Sequence, residues 1–364
     1  MSNETNNHEI KISIIVPCFN VERYIDRCMD SLVNQTIGIE NIEIILINDA
    51  STDGTLDKLQ KWESQYPENI MVITYEENLR QGGARNIGIS YSTGEYIGFV
   101  DADDWVETDF YEAVYRIAKE GDFDVVKGKF ERNKDEICKN GKDISDSKVI
   151  EYRFKPVEGG FYQYAIDKTG CMGEWGSVCT GIYRRTMIVN SGVLFPEGLS
   201  YEDNYWDACM KLYISSLAII DKIVYHYFIN EQSTVTSRNQ IHQLDRLEIE
   251  LRILEYYREK NVFQTFYDHL MQQFIERYYL STMYILFLRF DGIPTDIVNE
   301  MRNTVKENFP DYRERFSIRT SSDRIKLLID LLNSQEDITF EELAKIKLSY
   351  LESICEEKKR MDNR

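Results

Sequence analysis

The sequence predicts an α/β domain with a mostly parallel central sheet, followed by an all-helical appendage. Three observations carry this expectation. Short β-branched runs alternate with helix-spaced apolar residues through the first third of the chain. A polar cluster follows most of those runs directly. From about Ile241 onward the apolar residues recur at helical spacing.

Taken in order, Ile12–Val16 (ISIIV) reads as a buried parallel strand. Val21–Val33 has helical spacing through Tyr24, Ile25, Cys28 and Leu32. Ile42–Ile47 is the second strand, and Ser51, Thr52 and Asp53 are read as capping a helix that carries Leu56, Leu59 and Trp62. Ile70–Thr74 is the third strand. Gln81-Gly82-Gly83 reads as a turn leading into a helix over Ala84–Ser90, and Tyr96–Val100 is a fourth strand that stops at Asp101-Ala102-Asp103-Asp104. This rhythm implies right-handed crossovers, with ligands bound beyond the carboxyl ends of the strands.

Residues 128–170 are less regular, and the polar stretch Glu131–Ser147 reads as an excursion. Leu244, Leu247, Leu251 and Leu254 share one helical face, and Phe266–Phe290 is a second amphipathic stretch. Phe309–Ser322 reads as a linker. Ile325, Leu328, Ile329 and Leu332 mark a helix, and Thr339 with Glu342 forms a capping box for the last one. The expected organisation is a disordered N-terminus over 1–10, an α/β domain over 11–238 and a helical region over 239–364, with no internal repeat.

Composition narrows the function. The chain has 364 residues and a net charge of −19, which opposes general nucleic-acid binding and broad adsorption to anionic membranes. A local basic patch would still permit peripheral membrane contact. An acidic protein that holds an anionic ligand needs a local cation. The seven cysteines are odd in number and form no CxxC pair, so reduced, buried thiols in a cytoplasmic protein are expected. The segment MSNETNNHEIK has no apolar h-region of a signal peptide. The longest apolar-aromatic run, near Tyr278–Phe290, is too short to span a membrane and carries Arg289. With 24 Tyr, the chain can offer rings to sugars or simply pack them at core edges.

Five clusters hold candidate chemistry. Pro17-Cys18-Phe19-Asn20 places a ring past the first strand, fit to stack on a base or to pack in the core. In Asn48-Asp49-Ala50-Ser51-Thr52-Asp53-Gly54, Asp49 lies too early to cap the following helix and is better placed for a ligand. In Gly82-Gly83-Ala84-Arg85-Asn86, Arg85 offers a planar fork for a base or phosphate, against the alternative of a surface arginine on a first helical turn. Asp101-Ala102-Asp103-Asp104 gathers carboxylates that repel one another unless a cation compensates, and their hard oxygens suit Mg²⁺ or Mn²⁺ on a diphosphate. Its alternative is an exposed acidic loop with a helix cap. Glu202-Asp203 can supply a general base, although acidic pairs are usually solvated surface.

Together, ISIIVPCFN, INDASTDGT, GGARNIG, YIGFVDADDW, GIYRRTMIVNSGVLFPEGLSYEDNYW and VYHYFINEQSTVTS resemble family 2 of the inverting glycosyltransferases, which have the GT-A fold. The resemblance covers roughly residues 11–238 and implies a nucleotide-binding half over 11–127 and an acceptor half over 128–238. It implies that Pro17, Phe19, Asn20, Asp49, Arg85, Asp101, Ala102 and Asp103 bind a nucleotide-sugar, with Asp103 on the metal. It further implies that Asp203 is the catalytic base. His226 stands where some relatives place a ligand-binding histidine, with a satisfied structural histidine as the alternative. Trp175 and Glu202 are candidates for the acceptor side. Asn48 departs from the aspartate common at that position of the family's motif.

The implied activity is inverting transfer of a hexose or N-acetylhexosamine from a UDP-sugar to a glycan, glycolipid or glycoprotein hydroxyl. The implied cofactor is Mn²⁺ or Mg²⁺. Relatives of this shape often build capsule, teichoic acid or adhesin glycans, which places the chain at the inner face of the plasma membrane. The amphipathic faces of the helical region suit oligomerisation, acceptor binding or membrane contact, with oligomerisation the first expectation. The rivals are a degenerate partner subunit and a nucleotidyltransferase; against the latter, no Gly-rich loop with Arg and Lys follows the first strand. A dinucleotide-dependent oxidoreductase is disfavoured because no GxGxxG follows that strand either.

Overall fold

A computed structural model describes residues 9–133, 147–163, 177–229, 240–316 and 322–362. Backbone proximity divides the chain into two compact units, Met1–Thr236 and Ser237–Arg364.

The first unit opens with β1 (Ile12–Cys18), α1 (Ile25–Val33), β2 (Ile42–Asp49), α2 (Thr55–Gln65), β3 (Ile70–Tyr75), α3 (Arg80–Tyr91) and β4 (Tyr96–Phe99). The order β3-β2-β1-β4 is parallel throughout, with Ile12 facing both Ile42 and Tyr96. Every residue of β1 is buried, as a strand covered on both faces must be. Pro17 lies inside β1 opposite Ile47, so the strand runs two residues beyond the ISIIV run instead of stopping at the proline.

Gln81-Gly82-Gly83 is not a turn. All three residues belong to α3, and both glycines are buried where the helix meets its neighbours. A Cβ on Gly82 would stand 2.3 Å from the Pro196 carbonyl oxygen, so glycine here serves close helix packing rather than a turn.

The unit continues with β5 (Trp105–Val106), α4 (Phe110–Gly121), β6 (Val125–Asn133), β7 (Val149–Arg153), β8 (Gly181–Arg184), α5 (Arg185–Ser191), α6 (Glu202–Met210) and β9 (Ser216–Phe228). Here the sheet becomes mixed. β8 runs antiparallel to β4 and β6, β6 and β9 are parallel, and β9 carries β7 and β5 antiparallel along its length. The irregular reading of 128–170 thus missed β6 and β7. The alternating burial of β7 marks an edge strand rather than a covered one. Tyr96, Tyr111, Tyr183 and Tyr225 are fully buried, so much of the tyrosine content serves the core. Cys18, Cys28, Cys179 and Cys209 are buried free thiols.

The second unit comprises α7 (Gln240–Glu259), α8 (Tyr267–Phe274), α9 (Thr282–Arg289), α10 (Thr295–Asn308), α11 (Tyr312–Arg315), α12 (Asp323–Asn333) and α13 (Phe340–Asp362). A π-helical stretch, Ile275–Ser281, joins α8 to α9. On α7 the buried residues include Ile249, Ile253, Leu254 and Tyr257, while Leu244 is exposed; of the four leucines only Leu254 is fully buried, and the 249-253-257 spacing carries the rest of the core face. The expected linker contains α11, anchored by buried Phe309 and Tyr312. The capping box forms as expected, with the Thr339 amide donating to Glu342 Oε2 at 2.9 Å and the Glu342 amide to Thr339 Oγ1 at 3.4 Å. Among the described residues no helix is long and apolar enough to cross a membrane.

Candidate active site

The site is built from the carboxyl ends of β1, β2 and β4, the buried face of α3 and the first turn of α6. Beyond β1, Asn20 adopts a left-handed φ of 52°. Its Oδ1 accepts from the Thr52 amide at 2.8 Å, and its own amide donates to Ser51 Oγ at 3.1 Å. Asn20 therefore stitches the loops after β1 and β2 together. Phe19, held between these tethers, is 48% exposed, which excludes the core reading and presents its ring to solvent. Ser51 and Thr52 serve this stitching rather than capping α2. Only Asp53 caps, through Oδ1 on the Thr55 amide at 3.0 Å.

Asp49 is 3% exposed and its Oδ1 accepts from the Leu79 amide at 2.7 Å. It thus holds the entry to α3, a tertiary contact invisible to spacing rules for the helix that follows it in sequence. Burial pushes its carboxyl up, against the pull of the Leu79 and Arg80 amides. Asn48 is buried, and its Oδ1 has no hydrogen-bond partner among the described residues.

Arg85 is not a surface arginine. It is 2% exposed, its Nη2 donates to Asp101 Oδ1 at 2.7 Å, and its Nη1 is paired with Glu202 Oε1. Its guanidinium also lies 5.4 Å from the Phe195 ring centroid. Burial works against the arginine's charge, but Asp101 and then Glu202 more than offset it. The end of β4 and the start of α6 are thereby joined through one planar cation.

The four residues after β4 divide into distinct roles. Asp101 faces Arg85, and its amide donates to the Tyr225 hydroxyl at 3.2 Å. Ala102 is 3% exposed, so it is packed beneath the loop rather than displayed on it. Asp103 is partly exposed, and its backbone carbonyl accepts from Arg27 Nη2 at 2.6 Å. Asp104 is fully buried rather than part of an open acidic loop. Its Oδ2 accepts from the Tyr225 hydroxyl at 2.5 Å and its Oδ1 from the Phe228 amide at 2.8 Å. Burial, then Asp103 and Asp101, push its carboxyl well above the usual range.

At α6, Tyr201 holds a left-handed φ of 66° immediately before Glu202. A large L-residue is costly there, and such outliers gather at functional sites. Glu202 is 4% exposed and faces inward to Arg85, which answers the acceptor expectation with an organising role. Its carboxyl is pushed up to about 7 by burial, against Arg85. Asp203 is half-buried, with Oδ1 accepting from the Asn204 amide at 2.9 Å. Burial raises its carboxyl, opposed by Arg85 and assisted by Asp101. A carboxylate of raised basicity at a site that solvent still reaches is suited to taking a proton. Trp175 lies outside the described residues.

His226 sits opposite Trp105 on the β5–β9 pair, stacked on its ring with centroids 5.1 Å apart and 7° between planes. Its Nε2 lies 2.8 Å from Glu107 Oε1, and its Nδ1 lies 3.0 Å from Glu131 and 3.1 Å from Asn133 Nδ2. Both ring nitrogens are engaged and the side chain is buried, which favours the structural alternative over a metal ligand. Among the described residues no three His, Cys, Asp or Glu side chains form a ready-made metal cage. The donors present still suit a hard cation that arrives with a diphosphate, since such ions use one or two carboxylates and complete their shell with phosphate and water.

Sequence reasoning gave Asn86 no role of its own and overlooked Tyr225 and Arg27. Asn86 adjoins the flagged Arg85 and was within reach of the sequence; the other two carry no local signal.

The comparisons with known proteins agree with this geometry. Residues 13–183 match the family model described as Glycosyl transferase family 2, and the chain carries a domain of that family. It is 32% identical over 228 residues to EpsH of Bacillus subtilis strain 168, covering 62% of each chain. It is 44% identical over 121 residues to a poly(ribitol-phosphate) beta-glucosyltransferase of Bacillus spizizenii, covering 33% of this chain and 19% of that one. The structure resembles that of a Staphylococcus aureus TarS fragment in complex with UDP, with a TM-score of 0.65 at 19% identity, covering 94% of this chain and 92% of that one. This likeness establishes the GT-A fold. The chain spans less than two thirds of the length of the curated relatives named here.

Proposed function

We propose that this chain, with its family 2 glycosyltransferase domain, transfers a hexose or N-acetylhexosamine from a UDP-sugar to a glycan hydroxyl with inversion, in cytoplasmic synthesis of a bacterial surface polymer such as teichoic acid. The observation that carries the reading is the Arg85 bridge, which brings the Asp101–Asp103 strand end and the Glu202–Asp203 helix start to one site although they are distant in sequence.

In this reading the exposed Phe19 ring stacks on the base, and Asp49, already ordering the entry to α3, bounds the nucleotide pocket. Pro17 lies in β1 beneath it, Ala102 packs under the loop after β4, and Asn20 orders the loop after β1 through its bonds to Ser51 and Thr52. Asp203 accepts the proton of the acceptor hydroxyl at its carboxylate. The hydroxyl oxygen then bonds to the anomeric carbon as the bond to the diphosphate breaks on the opposite face. Asp103 would hold a divalent cation, Mn²⁺ or Mg²⁺, which when bound supplies neutralising charge for the departing diphosphate. Asp101, partly compensated by the guanidinium it shares with Glu202, keeps a second carboxylate near.

A thermal-shift panel of nucleotide-sugars with and without Mn²⁺ tests the proposal. A Mn²⁺-dependent rise in melting temperature with one UDP-sugar is expected, because a ligand that binds the native state stabilises it. The absence of a shift with every nucleotide, with or without metal, would overturn it.

A further inference from the structure

The GGARN segment reads from sequence as a nucleotide contact, yet the structure turns its polar side chains inward. Asn86 Nδ2 donates to the Phe195 carbonyl at 2.9 Å and Asn86 Oδ1 accepts from the Phe195 amide at 2.8 Å, so one side chain satisfies both backbone groups of a residue 109 positions away. Gly82 lets the Pro196 carbonyl approach: a Cβ there would stand 2.3 Å from that oxygen and 3.2 Å from Glu202 Cγ. Arg85 holds Glu202 itself. Phe195 in turn stacks on Trp206 of α6, with centroids 4.8 Å apart and planes 2° from parallel. Three residues on α3 therefore grip the segment from Phe195 to Glu202 at its start, its next carbonyl and its end. Asp203 follows directly, after the left-handed Tyr201.

We propose that this face of α3 is a clamp that positions the general base, with Arg85 and Asn86 as positioning residues rather than nucleotide ligands. The clamp sets where Asp203 stands relative to the donor side, because the same guanidinium that holds Glu202 also holds Asp101. Both Nη groups of the fork are engaged within the protein at a site 2% exposed, and the remaining donor, Nε, is itself buried without a hydrogen-bond partner among the described residues. The inference rests on the transferase reading for the identity of the base, but the grip on 195–202 is independent of it.

The test compares wild type with Arg85→Lys, which keeps the charge and loses the fork, and Asn86→Ala, which changes no charge and serves should the arginine variant fail to fold. Each variant is expected to lower transfer kcat by 10- to 100-fold on the order expected for a displaced catalytic group. UDP affinity measured by calorimetry with Mn²⁺ should stay within about threefold. A loss of UDP affinity with kcat unchanged would make Arg85 a donor ligand and overturn the clamp, as would wild-type values for both. Hydrogen exchange separates this from failure of the transferase reading. Amides over 198–204 should exchange about tenfold faster in Asn86→Ala than in wild type while β1 and β2 stay protected. Equal exchange in that segment overturns the clamp even if wild type proves to use no UDP-sugar, and faster exchange in such a protein upholds the grip while the transferase reading falls.

Discussion

Arg85 and Glu202 lie 117 positions apart and form a buried ion pair that joins the third helix of the sheet domain to the helix carrying the proposed base. Two opposing forces act on this pair. Burial penalises both charges, and their mutual attraction offsets part of that cost. For Glu202 burial prevails, lifting its carboxyl from 4.5 to about 7.

This shift has a stability consequence. The folded protein binds the Glu202 proton more tightly than the unfolded chain does. The associated stabilisation is fully present below about pH 4.5 and is lost as pH rises through about 7. Relative to Glu202→Gln, which cannot ionise, wild type should lose stability as pH rises across this window. Melting temperatures of both proteins between pH 4 and pH 8 check this. The glutamine variant should gain on wild type with rising pH, and parallel curves would refute the shift.

Asp203→Asn removes the proposed base without removing its volume. Donor binding should survive within about twofold while transfer falls 10²- to 10⁴-fold, the usual scale for a general base. Burial raises the Asp203 carboxyl, so the acid limb of the wild-type kcat/KM profile should lie above the ordinary aspartate value of about 3.9. Activity should rise with pH through that limb as the carboxylate forms. A limb at or below the ordinary value, or full activity in the asparagine variant, would assign the base elsewhere.

The first two strands were legible because each is a continuous run rich in β-branched residues and buried on both faces, which leaves no alternation to misread; β3, with Met71 and Thr74 exposed, and β4, YIGF, were legible as short apolar runs between polar turns. The site was legible as a set of motifs but not as a geometry. Arg85, Asp49 and Glu202 each act on a partner far along the chain, and no local rule reports which way a side chain turns. Gly82 and Gly83 were read as a turn because glycine usually marks one, whereas here the missing Cβ admits the Pro196 carbonyl. β7 was missed because a short edge strand between polar segments has little apolar signal.

Asp103 and Asp104 are adjacent in sequence and should respond in opposite ways to substitution. Asp103 is partly exposed, so Asp103→Ala should change stability by less than about 0.5 kcal/mol yet abolish metal-dependent UDP binding in calorimetry. Asp104 is buried on the Tyr225 hydroxyl and the Phe228 amide, so Asp104→Ala strands two buried donors. At about 1–3 kcal/mol for each unsatisfied group, it should cost roughly 2–6 kcal/mol. Thermal unfolding and calorimetry on the two variants separate the roles, and an equal loss of stability in both would erase the distinction.

The helix that carries the proposed base in its first turn also holds a buried charge cluster one turn later. Asp207 accepts from Lys211 Nζ at 3.0 Å and lies 3.8 Å from Lys127 Nζ, and the three side chains are 12%, 3% and 7% exposed. Lys127 also sits 5.4 Å from the Tyr183 ring centroid, a cation–π contact. Removing the carboxylate leaves two buried cations facing each other, and breaking a buried pair in this way costs about 3–5 kcal/mol. Asp207→Ala should therefore destabilise the protein by that amount in urea unfolding followed by tryptophan fluorescence. Replacing Lys211 by Met in the same background should restore part of the loss, because it removes one of the two charges that shared Asp207 and keeps the aliphatic packing. A loss below about 1 kcal/mol in Asp207→Ala, or no recovery in the double variant, would show that the lysines do not depend on Asp207 for compensation.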